Sequence, residues 1–169
     1  MPTLPRFPSP INETATRVTA GEVVALNAVA LGLGQMWLFP LVAADYTLRA
    51  VAGPRFSPLA RIAAEGLIPR LGLAPRPTAG PPKRFAVTIG ATLMIGASGL
   101  HYLKGARRAA YGLGSLMIVF PALESFLGLC VGCKMFDVLM NLGLLPDHIC
   151  AECANISFLH EREPGSNRE

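Results

Sequence analysis

Apolar residues along this chain of 169 residues collect in long stretches that carry few or no charges. The stretches predict four helices, over residues 18–33, 36–51, 85–103 and 109–131. A helix needs about 20 predominantly apolar residues to cross a bilayer, and the first two predicted helices are short by that measure. We therefore expect this first helical hairpin either to extend into the membrane interface or to be partly re-entrant.

Composition supports an integral membrane protein. The chain is 51% hydrophobic and 15% charged, with a mean hydropathy of +0.43, whereas soluble domains carry about 25% charged residues. We expect an all-α fold: a helical bundle of about four transmembrane helices over residues 18–133, with an interfacial loop at 52–84. A polar segment, 1–17, precedes the membrane domain, and a short cysteine-containing cytoplasmic tail, 134–169, follows it.

The basic residues predict the orientation of the chain. Residues 49–84 contain seven basic residues and one acid, whereas the turn at 104–108 contains three basic residues. The positive-inside rule then places the long loop, both termini and all cysteines in the cytoplasm, at the cell inner (plasma) membrane. Trp37, Tyr102 and Tyr111 would form an aromatic belt at the opposite face. The net charge of +4 forms no basic stripe with interleaved aromatics, so nucleic-acid binding is not expected.

Four cysteines occur as two CxxC pairs, Cys130 with Cys133 and Cys150 with Cys153. The spacing between the pairs is typical of a four-thiolate zinc site, so Zn is a candidate cofactor. If the fourth helix continues, Cys130 and Cys133 share one of its faces. Because cytoplasmic thiols are kept reduced, we do not expect a permanent structural disulfide, which leaves metal binding or transient redox chemistry.

The redox interpretation uses the same cysteines differently. One thiolate of Cys130 and Cys133 would attack a partner through a mixed disulfide, and the other would resolve it. Cys150 and Cys153 would then act as a second, relaying pair. Residue types alone leave the metal site, the thiol exchange and a simple packing function open.

Asp45, Arg49 and Glu124 lie inside the predicted spans, where charge is costly and often functional. Asp45 and Arg49 are one helical turn apart and should pair on one face. Glu124 precedes Cys130 in the fourth helix and is either a proton donor for thiol chemistry or a partner for Arg49. Asp45, together with Pro40, also fits a small transporter, for which four spans would need to form a homo-oligomer.

Four sequence motifs resemble a bacterial integral membrane family of unknown function, the domain of unknown function 4395. They are INExxxR at 11–17, AADYTLRAVAGPRFSPLAR at 43–61, PPKRFAVTIG at 81–90 and GLCVGCKMF at 128–136. Their order and spacing match the family over residues 11–146. The resemblance implies a polytopic membrane protein with no established activity, so whether it is an enzyme stays undecided.

The resemblance also implies site residues and partners. Asp45, Arg49, Cys130 and Cys133 fall on motif positions of the family, and its genes often lie beside those for thioredoxin-like and sulfurtransferase proteins. Our leading hypothesis is therefore a membrane-embedded thiol protein that exchanges electrons or sulfane sulfur with such a soluble partner. The alternatives are a non-enzymatic scaffold or complex subunit with a structural four-cysteine zinc site and, more weakly, a small transporter.

Overall fold

The structure, a computed structural model, describes residues 11–143, and nearly all of its regular structure is helical. In chain order the elements are β1 (Ile11–Asn12), α1 (Glu13–Gly32), α2 (Leu38–Ala52), a 3₁₀ turn (Pro54–Phe56), α3 (Pro58–Arg61), a π-helical stretch (Ile62–Leu67), α4 (Ile68–Leu71), β2 (Pro77–Thr78), α5 (Gly80–Tyr102), α6 (Arg107–Leu127) and α7 (Val131–Asn141). The expected all-α class is confirmed. The only strands in the described range, β1 and β2, form a two-residue antiparallel pair.

The four long helices form a bundle around one core. Helix α1 packs against α6, α6 against α5, and α5 against α2, while α1 and α2 also touch each other. Phe39, Val42, Met94 and Met117 are buried between these helices. The short helix α7 packs mainly on α5, which brings the first cysteine pair to one end of the bundle.

Helices α5 and α6 are long and apolar enough to cross a membrane, with mean hydropathies of 1.3 and 1.5 over their most apolar windows. Large apolar side chains also project from the outer surface of the bundle. Leu33, Ile95 and Phe126 are 71%, 55% and 75% exposed, for example. Two candidate spans are therefore present within residues 11–143.

The ends of two helices differ from the sequence expectation in ways that matter for the site. Helix α6 ends at Leu127 because Gly128 adopts a left-handed φ of 70°, and α7 then begins as a separate helix. Cys130 and Cys133 thus lie at the start of α7, not on a continuation of the fourth helix. Helix α5 begins at Gly80 with prolines in its first turn, so Lys83 belongs to this helix and not to the preceding loop.

The INExxxR motif joins α1 to two distant parts of the chain. Asn12 Oδ1 accepts hydrogen bonds from the N–H groups of Thr14 at 3.0 Å and Arg76 at 3.2 Å, so it caps α1 and holds the end of the loop. The Arg17 guanidinium donates to the carbonyl of Ser125 at 3.2 Å, at the last turn of α6. A cation there satisfies carbonyls that have no partner within the helix. The motif therefore fixes the turn that leads to the cysteines.

Candidate functional site

The first cysteine pair occupies the N-terminus of α7. Cys130 is the N-cap residue, and a disulfide joins it to Cys133, with the two Cα atoms 5.2 Å apart. The Cys133 N–H also points at Cys130 Sγ, with a nitrogen–sulfur distance of 3.2 Å. Cys130 is 9% exposed, whereas Cys133 is half-buried. The sequence led us to expect reduced thiols and no permanent structural disulfide, whereas the structure shows the two cysteines bonded.

Glycine between the two cysteines allows α7 to approach α5 closely. A Cβ added to Gly132 would lie 2.5 Å from the Cβ and 2.6 Å from the Cα of Ala86, inside van der Waals contact. One turn further on, the buried Phe136 ring packs against Phe85, with 5.6 Å between ring centroids. The cysteine pair is thereby held against the first turns of α5.

A cavity of about 100 Å³ lies between the helices next to the cysteine pair. Its walls are mostly apolar, but Tyr46, Arg49, Lys83 and Glu124 also line it, together with Cys130. Cys133 does not line it. The structure therefore brings together residues from α2, α5, α6 and the start of α7 that are far apart in sequence.

Lys83 and Glu124 form an ion pair across this cavity, with side chains 9% and 19% exposed. The sequence pattern predicts that Lys83 lies in the interfacial loop and offers Arg49 as a partner for Glu124. In the structure Glu124 pairs with Lys83, because α5 starts early enough to carry Lys83 into the bundle. The PPKR motif indicates that a helix starts before Lys83, since proline is favoured in the first turn of a helix.

Asp45 and Arg49 form the expected pair, 2.7 Å apart and both buried. Asp45 has a further function that the sequence did not reveal. Its Oδ1 accepts hydrogen bonds from Ser57 Oγ at 2.6 Å and from the Leu59 N–H at 3.1 Å. The Ser57 hydroxyl in turn accepts from the Ala60 N–H at 3.0 Å, as an N-cap of α3. The long motif at 43–61 is thus a closed set of contacts that locks the loop onto α2.

Arg49 contacts Asp45 on one side and also lines the cavity. Its guanidinium carbon lies 4.5 Å from the centre of the Tyr46 ring, a cation–π distance. The Arg49 Nε has no hydrogen-bond partner among residues 11–143. It has little access to water either, since only 8% of the side chain is exposed. A buried guanidinium N–H without a partner costs free energy, so this atom is available to an acceptor.

Glu22 in α1 is a half-buried acid that is not among the site residues predicted from the sequence. Both carboxylate oxygens are shielded from solvent and have no hydrogen-bond partner within the described part of the chain. With Asp45, Lys83 and Glu124, it means that each of the four long helices contributes a charged group to the interior.

The predicted zinc ligands cannot be assembled from the described residues. Within residues 11–143, no group of three or more His, Cys, Asp and Glu side chains is arranged to hold a metal ion. Cys150 and Cys153 lie outside the described residues, so the four-cysteine site stays a prediction. Cys130 and Cys133 could contribute two thiolates only in their reduced form.

The fold and site define a helical-bundle protein with a CxxC pair at the N-terminus of a short helix beside a charged cavity. The family model described as "Domain of unknown function (DUF4395)" matches residues 11–141, and the chain belongs to this family. The matched region contains the cysteine pair, both buried ion pairs and the capping residues of α1. Neither the curated proteins nor the solved structures include a match to the chain.

Proposed function

We propose that all four long helices cross the lipid bilayer of the cell inner membrane, with the cysteine pair at the cytoplasmic face. Exposed apolar side chains on α1 and α2 support this arrangement, because a bundle in water would leave a large apolar surface uncovered. Examples are Val29, Leu41, Leu48 and Val51. At the end away from the cysteines, one pocket is lined by Trp37, Tyr102 and Tyr111, as expected for residues at a membrane interface.

This topology is tested by labelling single cysteines in a variant that lacks the native four. Leu103→Cys lies in the turn after α5, and Arg70→Cys lies in the loop at the cysteine end. We expect a membrane-impermeant maleimide to label Leu103→Cys in intact spheroplasts and Arg70→Cys only after permeabilisation. Labelling of both positions from the same side would exclude the arrangement.

We further propose that the protein carries out thiol or sulfur exchange through Cys130 and Cys133, with a soluble thioredoxin-like or sulfurtransferase partner. The observation that carries this proposal is the cysteine pair itself, bonded at the N-terminus of α7 with Cys130 facing a charged cavity. N–H groups and the helix dipole at such a position stabilise a thiolate. Dithiols of this kind exchange readily with other disulfides.

The two sulfur atoms differ in burial, so a protein partner should react with only one of them. A protein thiolate reaches Cys133 more easily, because Cys133 is half-buried and Cys130 is almost fully buried. Attack on Cys133 forms a mixed disulfide, and the electron pair of the broken bond leaves on Cys130. The Cys133 N–H, 3.2 Å from Cys130 Sγ, then stabilises the thiolate that has formed.

The test is to trap the mixed disulfide on full-length protein purified anaerobically in detergent. The one remaining cysteine of each variant is first converted to a mixed disulfide with thionitrobenzoate. A thioredoxin without its resolving cysteine then attacks that disulfide and expels thionitrobenzoate as a thiolate. It should form a stable adduct with the Cys130→Ser variant, through Cys133, and far less with Cys133→Ser. Cys150→Ser/Cys153→Ser is the background in which both are compared. Equal trapping by the two variants would contradict the assignment of Cys133, and no trapping by either would contradict the function.

Zinc content separates thiol exchange from the structural alternative. A stoichiometric zinc ion, with thiols that react only after chelation, would favour the non-enzymatic scaffold with a four-cysteine site. Readily titrated thiols without zinc would favour exchange.

A further inference from the structure

The cavity beside Cys130 adjoins a second, larger cavity. The inner cavity has a volume of about 100 Å³, and the outer one, between the start of α1 and the chain from the 3₁₀ turn to the π-helical stretch, has about 610 Å³. Four residues line both cavities and form their common boundary: Ile11, Thr16, Arg49 and Pro54. The outer cavity therefore leads towards the cysteine pair past the Arg49 side chain.

Among the residues that line this route, basic residues outnumber acidic ones. Arg49, Arg55 and Arg61 line the outer cavity against the single carboxylate of Glu65. Arg61 and Glu65 form an exposed ion pair at 3.3 Å, which is weak in water. Arg55 forms no ion pair with the described residues that line the cavity. The charged residues that line the inner cavity are Arg49, Lys83 and Glu124. Lys83 pairs with Glu124, and Arg49 pairs with Asp45, which lies outside the lining.

Arg49 is the group that could bind a ligand at the boundary. Its side chain is more than nine-tenths buried, and Asp45 occupies only one of its terminal nitrogens, at 2.7 Å. The Nε lacks a hydrogen-bond partner among the described residues. A buried guanidinium of this kind binds anionic oxygens with charge-assisted hydrogen bonds.

We infer that the two cavities admit a small anionic compound that contains an S–S bond, with its anionic group at Arg49 and its sulfur at Cys130. The inner cavity is smaller than the roughly 300–1,000 Å³ of pockets that hold drug-sized ligands, so only a small reacting group enters it. The remainder of the molecule occupies the outer cavity. This inference rests on the proposed thiol exchange and specifies the second substrate of the same cysteine pair.

The chemistry needs no oxidant beyond the compound itself. In the reduced protein the Cys130 thiolate attacks one sulfur of the substrate, whose S–S bond breaks, and half of the substrate leaves as a thiolate that takes up a proton. The Cys133 thiol then loses its proton and attacks Cys130 Sγ. The second half of the substrate leaves as a thiol, and the Cys130–Cys133 disulfide forms. The partner's dithiol reduces that disulfide again from the Cys133 side.

The test compares two disulfides of similar length on full-length reduced protein in detergent. Bis(sulfoethyl) disulfide carries two sulfonates, and bis(hydroxyethyl) disulfide is neutral. Reoxidation is followed by alkylating the free thiols at timed intervals, in a background of Cys150→Ser/Cys153→Ser. The ratio of anionic to neutral rates is divided by the same ratio for dithiothreitol, which corrects for the intrinsic reactivity of each probe. We expect the protein to prefer the anionic probe, and salt to reduce that preference.

Variants at the outer cavity test the route. Arg55→Gln should lower the rate with the anionic probe by at least about threefold and leave the rate with the neutral probe unchanged, because the lost charge steers only anions. Arg70→Gln is the matched control, since Arg70 is an exposed arginine of the same loop that does not line the cavity. It should change neither rate.

The outcomes distinguish this inference from the proposed function. A protein that reacts with thioredoxin and with the neutral probe, but shows no anionic preference or no effect of Arg55→Gln, would overturn the anionic substrate and leave thiol exchange intact. A protein that exchanges with neither disulfide nor with thioredoxin would overturn both. An equal loss in Arg55→Gln and Arg70→Gln would also contradict the route, because it would reflect general surface charge.

Discussion

Lys83 in the first turn of α5 forms a buried ion pair with Glu124 in the last turn of α6. The pair joins two neighbouring helices of the bundle beside the cavity that Cys130 lines. Two opposite charges that are buried together compensate each other. Removal of one partner leaves the other charge buried and uncompensated. The stability of the bundle and the surroundings of the cysteine pair are therefore linked through these two residues.

Glu124→Gln should destabilise the protein by about 3 kcal/mol, at the lower end for a broken buried pair because Glu124 keeps some solvent access. Lys83→Met/Glu124→Leu should recover most of that loss, since neither charge then remains. Fluorescence of Trp37, the chain's single tryptophan, follows denaturation in detergent. A double variant that is less stable than Glu124→Gln would show that the pair itself contributes net stability.

Asp45→Asn should release the loop that follows α2. The substitution removes the charge that balances Arg49 and weakens the acceptor for Ser57 and Leu59, so a loss of about 3–5 kcal/mol is expected. Limited digestion with trypsin under native conditions should then cleave the Asp45→Asn variant after Arg55. Glu65→Gln is the control, because it removes an acid from an exposed pair with Arg61 and should change stability by less than about 0.5 kcal/mol.

Gly132→Ala should move α7 away from α5, because the added methyl would overlap the backbone of Ala86. We expect altered thiol reactivity of Cys130 and Cys133, measured by alkylation rate after reduction, with lower thermal stability. Gly112→Ala is the matched control, since nothing lies within 4 Å of a Cβ there and α6 is helical at that position. It should be neutral or stabilising by about 0.5–1 kcal/mol. Similar effects of both substitutions would contradict the close approach.

Glu22→Gln should raise stability, in contrast to Asp45→Asn. The Glu22 carboxylate is buried without a hydrogen-bond partner in the described chain, and a neutral amide costs less to bury than a charge. Thermal unfolding in detergent should show an increase in Tm. A decrease would mean that the attraction between the Glu22 carboxylate and the Arg49 guanidinium outweighs the cost of burying the charge.

Local motifs were the best guide to the site. Asp45 and Arg49 were expected to pair because they are one helical turn apart, and they do. The start of α5 was less accessible to sequence reasoning, since basic residues next to a proline-rich loop resemble an interfacial segment. Because Lys83 was assigned to the loop, it was not among the candidate site residues. The partner proposed for Glu124, Arg49, was therefore wrong.

The helical class, the order of the apolar helices and the position of the cysteine pair could be predicted, because they depend on composition and on residues close together in the chain. Tertiary structure alone decided that Lys83 meets Glu124, that Ser57 binds Asp45 and that Cys130 shares a cavity with Arg49. These contacts depend on how each helix is rotated and how closely it packs against its neighbour. Both are set by side-chain packing across the whole bundle, which no local pattern specifies.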